Sequence, residues 1–467
     1  METTAATNNG GNGGNYGAFR FNSSSVVNFN GNTNLTVGTN VVLLLNGAFV
    51  SANAPRLTIT TGGYVDGLDA ANTVYSLAGA GTYALSLGIG TTSSLTNSRS
   101  LTINGVTGTT DFTGLLQDGP SVGAALSLAK TGASTQQLSG ANTYTGGTIL
   151  AGAGGTLIAN HASALGAAGS TIYIGNANNQ NCGTLQFNVA PANPYNVVFG
   201  GTAFSGYQQT NTIQLNYAGS PNTTATLGTL NLGQQNMLNL TAGGSATGTP
   251  VLNFAASGNI FGYSVTSKST TIAPVGINVI LGSLTASNTT TAQTSTLVLD
   301  GTSTGNQING VISDSGSGSG AVNKGAVAKQ NTSTWILSGN NNFTGGTTLS
   351  AGTLIAATNA SVLGTGALAL NGGTLDLQID SSLNALNTTV GGTVTIQSDK
   401  ASATSAGITH TLGTLGIGAN QLNVAKGGNV SDNGAGLVFG TVTATGAATY
   451  DVASGVNLTL GALSGAY

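Results

Sequence analysis

Two segments of this chain have almost the same sequence. Residues 138–148 read LSGANTYTGGT, and residues 337–347 read LSGNNNFTGGT, 199 positions later. The same spacing joins Lys130 to Lys329 upstream of the two segments. A long internal repeat requires a fold that itself repeats, because each copy has to bury equivalent apolar residues in an equivalent way.

Matches outside these segments show how large the repeating unit is. GLLQD at 114–118 returns as GVISD at 310–314, and TLGTLNLG at 226–233 returns as TLGTLGIG at 411–418. The spacing changes from one match to the next, while the order of the segments is kept. Insertions therefore fall between strands, in Gly- and Ser-rich text such as SGSGSGAVNKG at 315–325.

These matches predict three parts of the chain. Residues 1–90 form a β-rich N-terminal cap or partial repeat. Residues 91–285 form repeat copy 1, and residues 286–467 form repeat copy 2.

The composition excludes several classes of protein. The chain has 74 Gly, only 4% charged residues and a net charge of −3, which is unlike a helical solenoid or an ordinary cytosolic enzyme. Its 39% hydrophobic content argues against disorder, which goes with low hydrophobicity and high charge. Nine Lys and Arg residues in 467 cannot line a phosphate backbone, so we expect no nucleic-acid partner.

The local pattern is that of short strands separated by turns. In residues 372–380, Leu375, Leu377 and Ile379 alternate with polar residues, which predicts a strand with one buried face. Gly-Gly, Asn-Gly and Asn-Asn pairs separate such segments, and these residue types favour turns. No segment keeps a helical apolar period for three turns.

Many short strands in a long repeat leave a parallel β-helix, a propeller or a string of β-sandwiches. Propeller blades and sandwiches would show a period near 40 or 100 residues with aromatic markers, and the sequence has neither. A β-helix coil takes roughly 20 to 25 residues in three short strands, and loop insertions leave neighbouring coils unchanged. We therefore predict an all-β parallel β-helix, or β-solenoid.

The repeated segment also carries a family resemblance. Residues 130–148, followed by AGAGGTLIA at 151–159, resemble the passenger-associated transport repeat, or autotransporter-associated β-strand repeat, of bacterial autotransporters. The second copy, 329–356, departs from the family pattern at QNTSTWI but keeps LSGNNNFTGGTTLSAGTL. The resemblance implies a right-handed parallel β-helix that is exported and displayed outside the cell, with the repeat supporting secretion and passenger folding. It names no ligand.

The termini add expectations about processing. Residues 1–18 lack the basic and apolar regions of a signal peptide, and no 18-residue apolar run predicts a membrane helix. No series of ten-residue alternating strands precedes the C terminus, so we do not expect the family's translocating barrel within this chain. A processed passenger and a secreted subunit both remain open.

Within the repeat we expect structural roles. The Gly-Gly pairs allow a tight corner before a strand, the leucines point into the coil, the aromatic residues pack the corner, and the asparagines form amide ladders along the axis. The alternative is glycan binding by the Tyr and Asn pair. The residues concerned are Lys130, Leu138, Gly140, Asn142, Tyr144, Gly146 and Gly147, with Lys329, Leu337, Gly339, Asn341, Phe343, Gly345 and Gly346.

Charged residues kept in both copies need a separate interpretation. Lys130 and Lys329, with Asp118 and Asp314, are expected to form surface ion pairs between adjacent coils, each worth at most about 1 kcal/mol. A crosslink or a ligand contact is the alternative reading.

Catalytic motifs are incomplete. SDSGSG at 313–318 resembles a serine-protease nucleophile phrase, but His161 and His410 are the only histidines and neither lies near it in the repeat frame. Asp376 and Asp380 would lie about 13 Å apart along one strand face, farther than a pair of glycosidase carboxylates.

Turn capping is the expected role of these two aspartates, and also of Asp66 and Asp69. The NGGNGGNYG segment at 9–17 lacks calcium-ligating Asp, and the single Cys182 cannot form an internal disulfide. We expect no enzyme, no cofactor and no metal site.

The sequence thus predicts a structural protein of the bacterial surface or exterior, either a stalk or a fibre-forming subunit. Unpaired strand edges at the ends of a β-helix would favour end-to-end self-association. The alternatives are an adhesin that binds glycans or a host surface, and a polysaccharide-degrading β-helix enzyme.

Overall fold

The computed structural model of the chain contains strands, turns and loops, with no helix among the residues it describes. The described residues are 2–5, 17–21, 33–45, 54–67, 71–84, 99–119, 125–152, 154–175, 181–199, 209–218, 222–233, 236–263, 269–287, 293–316, 322–403, 406–431 and 434–465.

The chain divides into two compact units. Unit 1 contains Met1–Gly228 with Ala242–Gly248, and unit 2 contains Thr229–Thr241 with Thr249–Tyr467. The predicted boundaries at residues 90 and 285 delimit sequence copies rather than compact bodies, and they stay predictions.

The strands of unit 1 are short. In chain order they are β1 Glu2–Ala5, β2 Gly17–Phe21, β3 Asn34–Val37, β4 Val41–Leu45, β5 Arg56–Ile59, β6 Tyr64–Asp66, β7 Asn72–Val74, β8 Ser76–Gly79, β9 Thr82–Ala84, β10 Arg99–Ile103, β11 Thr109–Phe112, β12 Leu115–Gln117, β13 Leu126–Lys130, β14 Thr135–Leu138, β15 Thr148–Leu150, β16 Thr156–Ala159, β17 Thr171–Ile174, β18 Asn181–Phe187, β19 Asn196–Phe199, β20 Gln209–Leu215 and β21 Thr224–Thr226.

Unit 2 continues in the same way. Its strands are β22 Leu230–Gly233, β23 Asn236–Ala242, β24 Val251–Asn253, β25 Asn259–Tyr263, β26 Ser269–Val275, β27 Asn278–Leu281, β28 Leu284–Ala286, β29 Thr294–Leu299, β30 Asn306–Ile308, β31 Ile312–Ser313, β32 Ser315–Gly316, β33 Val322–Lys329, β34 Thr334–Leu337, β35 Thr347–Leu349, β36 Thr353–Ala357, β37 Leu368–Leu370, β38 Thr374–Gln378, β39 Thr388–Val390, β40 Val394–Asp399, β41 Thr409–Thr411, β42 Leu415–Ile417, β43 Gln421–Lys426, β44 Ala435–Phe439, β45 Val442–Ala444, β46 Thr449–Val452, β47 Val456–Leu460 and β48 Leu463–Gly465.

Unit 1 is a parallel β-helix built from three sheets. Successive coils add one strand to each sheet: β10 pairs in parallel with β13, β11 with β14, and β9 with β12. Sheet A contains β1, β2, β4, β6, β9 and β12, with β1 antiparallel to β2; sheet B contains β3, β5, β8, β11, β14, β16, β18 and β20; sheet C contains β7, β10, β13, β15, β17 and β19. The predicted parallel β-helix is therefore confirmed.

Unit 2 has the same organisation. Sheet D contains β23, β26, β29, β33, β35, β37, β39, β42, β45 and β48; sheet E contains β24, β27, β30, β34, β36, β38, β40, β43 and β46; two short sheets contain β22, β25, β28 and β31, and β41, β44 and β47. In the coils of the repeat copies, a loop replaces the third strand.

The core of each unit follows from this parallel register, which stacks like residues on like. In sheet E, Trp335, Leu354, Leu375 and Ile396 pair in succession, and all four are fully buried. Leu354 and Leu375 are 21 positions apart, close to the predicted coil length. Their outward neighbours stack threonines in the same way. These two columns therefore give the sheet an apolar row inside and a neutral polar row outside.

The equivalent inner column of sheet B starts with a polar residue. Gln136 stacks on Leu157, Leu185 and Ile213, although its side chain is fully buried. Its Oε1 accepts from the Leu77 backbone N–H at 3.2 Å, and its Nε2 donates to the Leu77 carbonyl at 2.9 Å. The Gln136 amide thus takes the place of a strand peptide inside the coil.

Within the described part of the chain, no helix is long and apolar enough to cross a membrane.

Candidate functional site: the coil corners

The sequence segment shared by the two repeat copies forms the same loop in both units. We call this loop the coil corner: residues 139–147 between β14 and β15 in unit 1, and residues 338–346 between β34 and β35 in unit 2. Strands begin directly after each corner, at Thr148 and at Thr347.

The corner asparagine binds the backbone of the coils on both sides. Asn142 Oδ1 accepts from the Leu116 N–H at 2.8 Å, and its Nδ2 donates to the Ala164 carbonyl at 2.6 Å. Asn142 is 1% exposed, so these groups have little access to water. Its amide therefore replaces the strand that this coil lacks.

Asn341 repeats this arrangement in unit 2. Its Oδ1 accepts from the Ile312 N–H at 2.7 Å, and its Nδ2 donates to the Val362 carbonyl at 2.5 Å. The expected ladder from one Asn side chain to another is wrong at these positions, because the partners are main-chain groups of neighbouring coils.

A carboxylate links each corner to the strand that carries the buried lysine. Asp118 Oδ1 accepts from the backbone N–H groups of Leu126 at 2.7 Å and Thr145 at 3.1 Å, and its Oδ2 accepts from the Thr145 hydroxyl at 2.7 Å.

Asp314 makes the equivalent three contacts in unit 2. Its partners are the Gly325 N–H at 2.7 Å, the Thr344 N–H at 3.1 Å and the Thr344 hydroxyl at 2.7 Å. The predicted ion pairs between these aspartates and the conserved lysines are therefore wrong. An ion pair does form elsewhere in the described part of the chain, between Lys400 and Asp380 at 3.8 Å.

The lysines are inside the coils rather than on the surface. Lys130 and Lys329 are both 0% exposed. The Lys329 ammonium donates to the carbonyls of Gln330 at 2.5 Å, Asn331 at 2.9 Å and Ala351 at 3.1 Å, whereas Lys130 donates to the Gly132 carbonyl. Burial lowers the pKa of each lysine to about 8, and for Lys329 the nearby Asp300 opposes this effect.

Glycines at the corners allow close approach between coils. A Cβ on Gly140 would lie 1.7 Å from the Gly114 carbonyl oxygen, and one on Gly339 would lie 2.0 Å from that of Gly310. Gly147 and Gly346 have φ values of +87° and +90°, which only glycine adopts readily. The corners therefore depend on glycine both for space and for backbone conformation.

The corner aromatic residue is buried in both units, which excludes the expected alternative of glycan binding by the Tyr and Asn pair. Tyr144 and Phe343 are 0% exposed. The Tyr144 hydroxyl lies 2.6 Å from that of Thr148, and burial raises its pKa above the usual range. Leu138 and Leu337 lie in the core, also fully buried.

Sequence reasoning missed a real amide ladder on sheet B. Asn160 Nδ2 donates to Gln137 Oε1 at 3.2 Å, Asn188 Nδ2 to Asn160 Oδ1 at 2.7 Å, and Asn216 Nδ2 to Asn188 Oδ1 at 3.0 Å. The three asparagines each follow the last residue of a strand, at spacings of 28 residues. That period could have revealed the ladder.

The catalytic candidates do not come together in the structure. The Ser313 hydroxyl donates to that of Thr285 at 3.2 Å. The ring nitrogens of His410 face the carbonyls of Ser381 and Asp399, and His161 Nδ1 accepts from the Ser163 N–H. No hydrogen bond links Ser313 to either histidine among the described residues.

The aspartates have separate environments. Asp376 lies within β38 and is 6% exposed, so its predicted turn-capping role is wrong, while Asp380 is on the surface with Lys400. Asp66 is buried in β6. Asp69 and the 9–16 part of the Gly- and Asn-rich segment lie outside the described residues. Among the residues that the structure does describe, no group of three His, Cys, Asp or Glu side chains suits a metal ion.

Comparison with known proteins agrees with the two corners. The family model of the passenger-associated-transport-repeat matches residues 128–159 and 327–356. The chain carries this repeat twice. Each match runs from the buried lysine strand through the corner to the following strand. No curated protein and no solved structure gave a significant match to the chain.

The passenger-associated-transport-repeat is a feature of autotransporter passengers, so the two matches indicate a bacterial surface or secreted protein.

Proposed function

We propose that this chain is a structural stalk within an exported bacterial surface protein, and that the coil corners let it fold one coil after another. The observation that carries the proposal is the identity of the corner contacts in two units, although the surrounding residues differ. Selection for a ligand would act on exposed groups, whereas these conserved groups bind the protein's own backbone.

The physical argument concerns backbone groups that have no strand partner. A coil that lacks its third strand leaves the N–H and carbonyl groups of its neighbours to be satisfied, and an unpaired buried group costs about 1–3 kcal/mol. Asn142 satisfies one such group on each side, so a docked coil is complete only when its corner is in register. The corner thus couples the closing of one coil to the coil before it.

Display on a bacterial surface tests this function. The chain, fused to the translocating domain of an autotransporter, is expected to reach the surface and to resist external protease. The double variant Asn142→Ala with Asn341→Ala should be exported but cleaved readily. Asn342→Ala changes an exposed neighbour and serves as the matched control. Failure of the wild-type chain to reach the surface, or equal protease resistance in the double variant, would contradict the proposal.

Adhesion is a second candidate, and the outer face of sheet B favours it. Thr135, Thr156, Thr184 and Thr212 stack in register there, half-buried, on the strands that the asparagines of the ladder follow. Such a neutral hydroxyl and amide surface suits an uncharged glycan. A glycan array supports adhesion if binding is lost on replacing Thr156 and Thr184 by Val, and no binding by the wild type would remove this candidate.

Fibre formation stays a prediction, and electron micrographs that show only single particles at high concentration would contradict it. We also propose that the chain is not an enzyme, since the Ser, His and Asp candidates bind separate partners. Release of reducing sugar from polysaccharides, lost on Asp376→Asn, would overturn that proposal.

A further inference from the structure

The outer faces of β38 and β40 carry a block of four oxygen-bearing side chains. Asp376 lies opposite Gln397, and Gln378 lies opposite Asp399, in parallel register. Residues two apart on a strand share a face, so the four side chains are mutual neighbours. Within a chain that has only 4% charged residues, two carboxylates in one block are unusual.

Unit 1 has a neutral version of the same block. The strands in the corresponding places are β18 and β20, which carry Gln186, Asn188, Gln214 and Asn216. There Gln186 Nε2 donates to Asn188 Oδ1 at 2.6 Å, and Asn216 Nδ2 donates to the same oxygen at 3.0 Å. Amides satisfy each other in such a ladder because each has both donors and acceptors.

The contacts of Asn216 and Asp399 confirm that these two positions correspond. Asn216 Oδ1 accepts from the Ser245 N–H at 2.8 Å, and Asp399 Oδ1 accepts from the Asn429 N–H at 2.9 Å. A Gly-Gly pair precedes both donors. Unit 2 therefore has a carboxylate where unit 1 has an amide that donates to the strand below.

Replacing amides by carboxylates leaves the block short of donors. Asp376 Oδ2 accepts from Gln378 Nε2 at 2.8 Å, but Asp376 Oδ1 is buried without a hydrogen-bond partner among the described residues. Asp399 Oδ2 is also buried without a hydrogen-bond partner among the described residues, and Asp399 is 0% exposed. A buried carboxylate oxygen without a partner is costly, and such groups require an explanation, for example a bound ion.

The cationic side chains nearby are engaged elsewhere. Lys400 pairs with Asp380, and Lys426 donates to the Ser431 carbonyl at 3.2 Å. His410 faces the carbonyls of Ser381 and Asp399 rather than a carboxylate. Burial, and to a lesser extent the charge of Asp399, raise the pKa of Asp376 to about 6.

The positions opposite the block on the neighbouring strands are apolar, and a glycine packs against Asp399. Ile355 and Ala357 lie opposite Asp376 and Gln378 on β36, and Ala425 lies opposite Gln397 on β43. Gly427 follows β43, and a Cβ there would lie 2.3 Å from Asp399 Oδ2. Only glycine therefore fits against this carboxylate.

We propose that Asp376 and Asp399, with the side-chain carbonyl oxygens of Gln378 and Gln397, bind a calcium ion on the outer face of β38 and β40. Calcium accepts carboxylate and amide oxygens, tolerates irregular geometry and completes its coordination with water. The ion supplies the positive charge that the ladder of unit 1 obtains from its N–H donors. This site goes beyond the sequence expectation of no metal, and it is independent of the proposed stalk function.

Calcium titration of the chelator-treated, full-length chain at pH 7.5 tests the proposal. Isothermal titration calorimetry is expected to show one saturable site, and calcium should raise the Tm by several degrees. Asp376→Asn and Asp399→Asn should each lose the calcium-dependent shift, and Asn at 399 keeps the acceptor that binds Asn429. Asp380→Asn is the control, since this nearby exposed carboxylate is outside the block and should leave the shift unchanged.

Two results would overturn the site. One is the absence of saturable calcium binding by the wild-type chain. The other is a calcium shift of equal size in Asp376→Asn and Asp399→Asn, which would place the binding elsewhere. If the carboxylates instead share a proton, acidification to pH 5 will stabilise the calcium-free protein and calcium will have no effect, which also contradicts the proposal.

Discussion

The two repeat copies have the same hydrogen bonds between coils but different residues inside the coils. Asn142 and Asn341 bind equivalent backbone groups, and Asp118 and Asp314 make the same three contacts. Inside the coils, however, Gln136 in unit 1 stands where unit 2 has Trp335. The repeat therefore conserves hydrogen bonds from side chain to backbone more strictly than it conserves the core.

The reason is that a core position tolerates more kinds of side chain than a corner position does. A core position accepts any group that fills the space and satisfies its polar atoms: Gln136 binds the Leu77 peptide, and the Trp335 indole donates to the Asp300 carbonyl at 3.1 Å. A corner has to meet one N–H and one carbonyl at fixed positions, and a side-chain amide is the group that offers both an acceptor and a donor.

Removing the corner amides should have the largest effect. Asn142→Ala and Asn341→Ala each leave a buried N–H and a buried carbonyl unpaired, so each should lower the free energy of unfolding by about 2 to 5 kcal/mol. Urea denaturation of the single variants gives these values. Equal stability of Asn341→Ala and of the exposed control Asn342→Ala would show that the corner contacts are dispensable.

Exchanging the core residue should have an intermediate effect. Gln136→Leu is close in size but leaves both polar groups of the Leu77 peptide without their partner, and we expect a loss of about 2 kcal/mol. The same urea experiment measures it, with Leu157→Met as a conservative control in the same column. A neutral or stabilising Gln136→Leu would mean that the amide is not needed inside the coil.

The buried lysines should make stability depend on pH. Their pKa is about 8 in the folded chain and 10.5 for the ordinary side chain, so between these values the unfolded state binds more protons. Stability should therefore rise from pH 8 towards pH 10, by about 1 kcal/mol or more. Above pH 10 the trend reverses, because burial raises the pKa of Tyr83 and Tyr144 and so opposes their ionisation in the folded state.

Unfolding measurements from pH 7.5 to 9.5 will show this slope. It should be flatter in the double variant Lys130→Met with Lys329→Met. A slope that is unchanged in that variant would assign the pH dependence to other groups.

Exchanging the corner aromatic residues should have the smallest effect. Tyr144→Phe removes the hydroxyl partner of Thr148, whose hydroxyl can still donate to the Leu165 carbonyl at 3.4 Å, so we expect a loss of about 1 kcal/mol or less. Phe343→Tyr tests the reverse change in unit 2. A loss above about 3 kcal/mol from Tyr144→Phe would show that the two corners are not interchangeable.

The fold could be predicted because both the apolar residues and the longer sequence segments recur at regular intervals. Alternation in residues such as Leu375 and Leu377 identified strands, and the repeat indicated coils. The sequence did not give the partners of Asn142 or Lys130, because a polar residue in a loop reads as a surface residue. Its burial depends on a neighbouring coil more than 20 positions away.

The same limit applies to the block at Asp376 and Asp399. The two aspartates lie on different strands, which are neighbours only because β38 and β40 pair in parallel. The pair is recognised as a site by comparison with unit 1, where amides occupy the same positions. Paired residues are 21 positions apart between β36 and β38 but 28 apart between β40 and β43, so partners in successive coils keep no fixed sequence spacing.

The corner asparagine also gives the fold a direction of growth. A coil that has just closed presents unsatisfied main-chain atoms on its leading face, and the next Asn amide is the group that completes them. Structure can then spread from a finished coil to the next one, and a single substitution of Asn142 or Asn341 should interrupt that spread at its own corner.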